Sequence, residues 1–523
     1  MSPVPDLGLG ALPGAVDSAD ASAGMRWRWA DLHAHCAVSY GFGTAARALS
    51  NAEQHLDACS ITGHAFWGDM PTDLEHNDAT MLKHLGGFAK LQRFWPGLLR
   101  ALDEAHAAGR VATLPSYEWH SLRFGDHNVY VADPELPLVD ADTPAALEAA
   151  LRAVGHDPLV QPHHIGYATG WRGIDWAAFD PGRSPVLEIF SSHGSSEADD
   201  APYPYGENMG FRQGASTARA GLVAGHRFGF QAGTDSHDGY PGHYGHGRVG
   251  LLTEGLERRH LFEALRARRT IASTGPHVAM ELALDGGGIG AVVQRRDEMD
   301  LRVAVRGTDS VVRLEMVEGD RRGWRVRPLP VAAAASDVVP GPHALRIETG
   351  WGRHGTISRW DLEARIERGR LLAATPYFRY AGHGNAEPEA TERVLGIDEL
   401  GVAWRCHALA VPSPDRGGTH HAAGGPQTMH LVVEGDERTA IVVRCGAFEL
   451  RVTLAELVAR SVGRFTGGLA TPALLISRAA PQREWLLEHR QRIVPPAAEG
   501  GFVYLRMLQA DGQAAWASPV FLE

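Results

Sequence analysis

Histidine and acidic side chains recur in this chain at the ends of short apolar runs. Asp31, His33 and His35 stand in DLHAH, His64 in SITGHAFW, and Glu118 in LPSYEWH. His163 and His164 close LVQPHH, His193 follows VLEIF, and Asp235 and His237 stand in TDSHDG. Imidazole and carboxylate donors without thiolate suit Mn, Fe or Zn, and donor type alone does not choose among the three. Residues i and i+2 of an extended segment point to one side, so His33 and His35 can grip one ion, as can Asp235 and His237. Glu118 offers two oxygens and is the natural bridge between two ions. A single strand-end histidine is ordinarily a hydrogen-bonded core or loop residue. Six such endings in one half of the chain point instead to a metal centre.

These residues act together only if the fold collects them. From Trp27 to about His277 apolar runs alternate with helical stretches, as βα units do. The expected strands are Trp29 to His33, Ala58 to His64, Val111 to Glu118, Leu159 to His163, Val186 to Ser191 and Gly229 to Thr234. The expected helices are Thr44 to His55, Met81 to Ala108, Pro144 to Val154, Glu207 to Ala224 and Arg258 to Arg268. In a (β/α) barrel the C-terminal ends of the strands converge on one face, which would bring the six endings together. Beyond about Met280 the texture changes to alternating runs such as Leu301 to Val305, Ala344 to Glu348, Met429 to Val433 and Ala440 to Val443. That half reads as all-β and sandwich-like, in one or two units. The expected division is a disordered tail over 1–25, a barrel over 26–280 and a β-rich region over 281–523.

Composition narrows the partners. A chain of 523 residues exceeds one ordinary core, so at least two domains are expected. A formal net charge of −12 argues against nucleic acid. No run of about 18 apolar residues is present, and the first 24 residues lack a basic start and an apolar stretch, so cytoplasm is the expected compartment. Four cysteines without CxxC spacing give neither a disulfide framework nor a thiolate site. Lys83 and Lys90 are the only lysines, and no GxxxxGK[ST] phosphate loop occurs. His84 and His106 read as solvated helix residues, and His246, His420 and His421 as loop residues.

The stretches DLHAH, SYEWH followed by DHNVY, EIFSSHGSSE, TDSHDGYPGH, LFEALRARRTIASTGPH and VYLRMLQADGQAAWASPVFL together resemble the PHP (polymerase and histidinol phosphatase) superfamily of metal-dependent phosphoesterases, above all its large members with an appended β domain. The resemblance implies an α/β fold, a distorted seven-stranded (β/α) barrel, and two or three divalent ions. It assigns His33, His35, Glu118 and Asp235 to a first ion, and Glu118, His163 and His193 to a second, with His164 an alternative to His163. His64 and His237 fall to a third. Two departures touch that third position: Gly63 stands where an acidic residue is usual, and SYGFG places Tyr40 and Gly41 where another ligand is usual. The amidohydrolase barrels often bridge their ions with a carboxylated lysine, and no lysine ends a strand here.

The expected chemistry is hydrolysis of a small phosphate ester by a hydroxide shared between two ions bridged by Glu118. Asp235 belongs to that catalytic group, and His64, His237 and His127 are candidate acids for the leaving group. Arg123, Arg172 and His164 are candidate contacts for an anionic substrate. Trp67, Trp119 and Trp171 either wall the pocket or pack the core. One alternative keeps the metal site and cleaves an amide, ester or lactone. Another, of a different class, is a non-catalytic metal- or carbohydrate-binding protein. Neither the role of the β half nor the oligomeric state is legible.

Overall fold

A computed structural model describes residues 24–203, 209–382, 392–411, 424–496 and 499–523. The expected tail up to residue 23, His420, His421 and most of the loops at 382–388 and 412–425 lie outside the described residues. The chain is mixed α/β and largely β.

The N-terminal half runs β1 (Arg26–Ala34), α1 (Ala45–Ala52), β2 (Ala58–Ile61), β3 (Gly63–Trp67), α2 (Leu74–Ala107), β4 (Ala112–Thr113), β5 (Ser116–His120), β6 (His127–Tyr130) and α3 (Pro144–Ala153). It continues through β7 (Leu159–Pro162), β8 (Val186–Ser191), β9 (Gly194–Ser195), α4 (Ala218–Val223), β10 (Gly229–Ala232), β11 (Arg248–Thr253), α5 (Arg258–Arg266) and β12 (Thr270–Ser273). Helix starts carry their own signals. Thr44, Asp73, Thr143 and Thr217 each accept a backbone N–H from the first turn that follows. Two expected strands are each split in two. Thr62 separates β2 from β3, and Leu114 with Pro115 separates β4 from β5, so each pair divides between two sheets. Of the helix expected over Glu207 to Ala224, the described part from residue 209 onward holds only α4: Gly210 adopts φ +139°, a 3-10 turn occupies Gly214–Ser216, and Thr217 caps a fresh start.

The strands that were expected to close one ring are hydrogen-bonded in three sheets. β1, β2 and β4 are parallel neighbours, with β11 and β12 antiparallel beyond β1. β3 and β5 are parallel, and the unanticipated β6 lies antiparallel between β5 and β7. β8 pairs in parallel with β10 and antiparallel with β9. A single seven-stranded ring is not traced by these pairings among the described residues. Ala30, Leu32, Ala58, Val249 and Leu251 pack with Leu261, Phe262 and Leu265 of α5, burying the apolar face of that helix.

Hydrogen bonding crosses residue 280. Strand Ala514–Ala517 pairs with β12, and Gly501–Gln509 and Val520–Leu522 extend the same eleven-stranded sheet. A buried carboxylate secures the junction: Glu197 accepts Tyr504 Oη at 2.6 Å, Arg506 Nη1 at 2.8 Å, Arg219 Nη2 at 3.2 Å and Trp516 Nε1 at 2.8 Å. Farther along, a six-stranded and a five-stranded sheet share one apolar core, to which Leu345, Ile347 and Leu431 contribute from one and Trp360, Leu362 and Trp404 from the other. No helix among the described residues is long and apolar enough to cross a membrane. All four cysteines are free thiols.

Candidate metal centre

Glu118 lies at the middle of a buried group of imidazoles and carboxylates. β1 delivers His33 and His35, and backbone bonds fasten its end to the segment after β10: Asp235 N–H donates to His33 O at 2.7 Å, and His35 N–H to Ser236 O at 2.8 Å. Asp31 reinforces the join by accepting Thr234 Oγ1 at 2.6 Å and Gly242 N–H at 2.7 Å. The parallel β3 and β5 place His64 and Glu118 opposite each other in register. His163 and His164 follow β7, and His193 follows β8. His164 and Asp235 both occupy the left-handed region, at φ 33° and 50°. Non-glycine residues adopt that conformation at a cost of roughly 1–3 kcal/mol, so the surrounding structure must hold it.

The two Glu118 oxygens face different imidazoles. Oε2 lies 3.3 Å from His35 Nε2, 3.5 Å from His64 Nε2 and 3.9 Å from His33 Nε2. Oε1 lies 3.3 Å from His163 Nε2 and 3.2 Å from His120 Nδ1. Asp235 closes the other side, with Oδ1 3.1 Å from His35 Nε2 and 3.5 Å from His33 Nε2, and Oδ2 3.0 Å from His193 Nε2. Ligand atoms of His33, His35 and Glu118, of His35, His64 and His237, of Glu118, Asp126, His163 and His164, and of His33, His163 and Glu188 each lie within 4.8 Å of one another.

The carboxylates ionise as metal ligation requires, whereas Glu188 and Asp235 outweigh burial and hold the His33 imidazole well above its usual range. Burial opposes charge on Glu118, yet the imidazoles of His120, His64 and His163 outweigh it and hold the carboxyl well below its usual range. Asp235 is likewise held low against burial, chiefly by His33. Burial, with His164 and His33 alongside, pushes His163 down to about 3, so its imidazole is neutral near pH 7. His33 Nε2, Glu118 Oε2 and His120 Nε2 are buried without a hydrogen bond of acceptable geometry. Such atoms are costly in an interior unless something pairs with them. This donor set fits divalent cations.

Of the residues expected from sequence, His33, His35, His64, Glu118, His163, His193, Asp235 and His237 all fall in this cluster. His237 Nε2 lies 3.1 Å from His64 Nε2. His164 Nε2 lies 3.3 Å from Asp126. His127 does not reach Glu118: it sits opposite Trp119 in register and edge-on to that ring, on the other face of β5, with Nδ1 on Gly125 O at 2.9 Å. The Arg172 guanidinium is engaged by Asp126, with Nε at 2.6 Å from Oδ2, and lies over the Trp67 ring. Arg123 is exposed over Phe124. Trp67 is buried beside His84 and His120, Trp119 is core, and Trp171 is exposed. His84 is buried rather than solvated, because the inner face of α2 turns it toward Tyr40 and Trp67.

Three residues enter that sequence reasoning left out. His120 stands two positions after Glu118 on the same face of β5, the spacing that singled out His33 and His35. Asp126 binds His120, His164 and Arg172. Glu188, a carboxylate inside the apolar strand VLEIF, accepts from His33 Nδ1 at 2.8 Å and leaves Nε2 of that ring facing the cluster. Carboxylates of this kind orient a ligating imidazole and raise its basicity.

The fold and site thus define a mixed α/β protein with a buried imidazole–carboxylate centre suited to divalent metal. No protein-family model matches the chain. An uncharacterized protein of Chlamydia pneumoniae is 29% identical over 161 residues, which are 29% of this chain and 26% of that protein, so the match spans about a quarter of the relative's length. A solved structure from Bacteroides vulgatus, a two-domain protein containing a predicted PHP-like metal-dependent phosphoesterase, aligns with 61% of this chain and 82% of its own at 14% identity and a TM-score of 0.33.

Proposed function

We propose that this chain is a metal-dependent hydrolase of the PHP type that cleaves a small, anionic phosphate ester. The supporting observation is the position of Glu118, whose two oxygens face separate sets of imidazoles. In this reading His33, His35, Asp235 and Glu118 hold one ion, and Glu118, His163 and His193 another. Bound Mn, Zn or Fe would supply Lewis acidity and an activated water at neutral pH. The chemistry belongs to residues 26–280, and the β-rich region 281–523 supports it.

The chain's own groups do the remaining work. Glu118 fixes the spacing of the two ligand sets, and Glu188 keeps the His33 proton on Nδ1 so that Nε2 stays free to ligate. His237 Nδ1 donates to Asp235 O at 3.0 Å, and His64 Nδ1 lies 2.8 Å from Ser39 Oγ, whose hydroxyl is assigned as the donor. These two bonds leave one proton between His64 Nε2 and His237 Nε2, where it can pass to a departing alkoxide. Asp126 neutralises Arg172, so this arginine braces Asp126 and His120 and leaves substrate charge to other groups. His164 meets the same Asp126 oxygen, Oδ2, as Arg172 and His120. The enclosure of the cluster keeps water few and strengthens every charge interaction inside it.

The test is metal content of the purified protein beside turnover of a panel of phosphomonoesters and phosphodiesters with Mn, Zn or Fe added. Two or more ions per chain, with turnover abolished by Glu118→Gln, is the expected result. Bound ions with turnover of amides, esters or lactones alone would replace the phosphoester, and absence of bound ions would overturn the reading.

A further inference from the structure

Both departures from the PHP pattern are packed against helix α2. A Cβ on Gly63 would come within 2.4 Å of Leu91 of that helix, and a Cβ on Gly87 of the helix within 2.4 Å of the Tyr40 ring. A side chain at position 63 would therefore have to displace the end of Leu91, and Tyr40 fits because Gly87 has no side chain. Tyr40 in turn covers the centre: its ring stacks on His64 with centroids 3.4 Å apart and lies 5.5 Å from that of His237. On the ring rests Lys83 of α2, with Nζ 4.6 Å from the centroid.

Lys83 is exposed and has no carboxylate partner among the described residues, and partial burial with Arg172 nearby lowers its amine from the usual range. It is one of only two lysines in the chain. The neighbouring arginines are differently placed, Arg172 being tied to Asp126 and Arg123 lying over Phe124. An ammonium held over an aromatic face is oriented without being neutralised, so it remains able to bind an anion.

We propose that Lys83 and Tyr40 form an outer anion subsite, and that the substrate carries a second anionic group, carboxylate or phosphate, beyond the ester that is cleaved. The proposal rests on the phosphoester reading above. Tyr40 sets the distance between the two groups, and Lys83 binds the outer one.

The experiment compares phenyl phosphate, 4-carboxyphenyl phosphate and 1,4-phenylene bisphosphate on the metal-loaded full chain and its Lys83→Met, Lys83→Arg and Lys90→Met variants. The expected result is a preference for at least one of the two-anion compounds, reduced about tenfold by Lys83→Met through KM rather than kcat. Lys83→Arg should restore it, and Lys90→Met should leave it unchanged. Which compound is preferred separates carboxylate from phosphate. Calorimetric binding of the same three compounds reads the subsite even if no ester is cleaved. Turnover failure with Lys83-dependent binding would reject the phosphoester reading and keep the subsite. Equal loss for one-anion and two-anion compounds, or no preference in either assay, would overturn the proposal.

Discussion

Two buried carboxylates, Glu197 and Glu118, are surrounded by polar groups in opposite ways. Glu197 meets four donors, from Tyr504, Arg506, Arg219 and Trp516, each within hydrogen-bond distance. Glu118 meets five imidazoles at 3.2 to 3.9 Å, with Oε2 lacking a well-formed hydrogen bond. Donors around Glu197 carry protons directed at the oxygens, so the group is satisfied by the protein itself. Around Glu118 the flanking groups His64 and His163 are pushed to the neutral form, which presents lone pairs as readily as protons. Burial alone therefore does not mark a ligand site. A buried anion flanked by neutral imidazoles and lacking a hydrogen bond on one oxygen is the pattern that an added cation would satisfy.

The contrast can be broken at either end. The largest effect is expected from Glu118→Gln, which should lower hydrolytic turnover by about 1,000-fold or more and reduce bound metal, since loss of a ligand should exceed the 10–100-fold typical of its supports. Turnover assays and elemental analysis check both, and a variant that kept full metal content would erase the distinction. Glu197→Gln should instead cost stability, about 3 kcal/mol, by removing the anion shared by Arg219 and Arg506. Urea unfolding measures it, and the metal content of the folded fraction should be unchanged. Added Mn or Zn at 100 times its Kd should raise stability by about 2.7 kcal/mol in the parent chain and in Glu197→Gln, with the rise lost in Glu118→Gln. Thermal unfolding with and without a chelator reads this. The smallest change is expected for Glu188→Gln, a loss of about 10–100-fold in metal affinity with the fold intact, measured by competition with a metal indicator.

How much was legible follows from the same physics. His33, His35, Glu118, His163 and Asp235 could be read because period-two spacing and strand ends are written in the local sequence. His120 carried the same signal beside Glu118, and Glu188 carried a different one, a charge inside an apolar strand. Asp126 had none, because its importance comes from His164 and Arg172, distant in sequence. The reading of Arg172 as a substrate contact missed this partner, and the burial of His84 depends on which face of α2 meets Tyr40. Alternating runs announced the strands of the C-terminal half, but alternation does not name a partner. Pairing of Ala514–Ala517 with β12 was therefore invisible.

That pairing has a consequence for how the molecule is made. Ser273 lies opposite Ala515, so on the ribosome β12 must wait while more than half as much chain again is synthesised. At about 5–20 residues per second, its open edge and Glu197, paired until then with Arg219 alone of its four partners, await Tyr504, Arg506 and Trp516 for tens of seconds. The nascent N-terminal half thus needs protection for longer than its own length would suggest. Growth temperature and chaperone supply should influence yield even where the finished protein is stable.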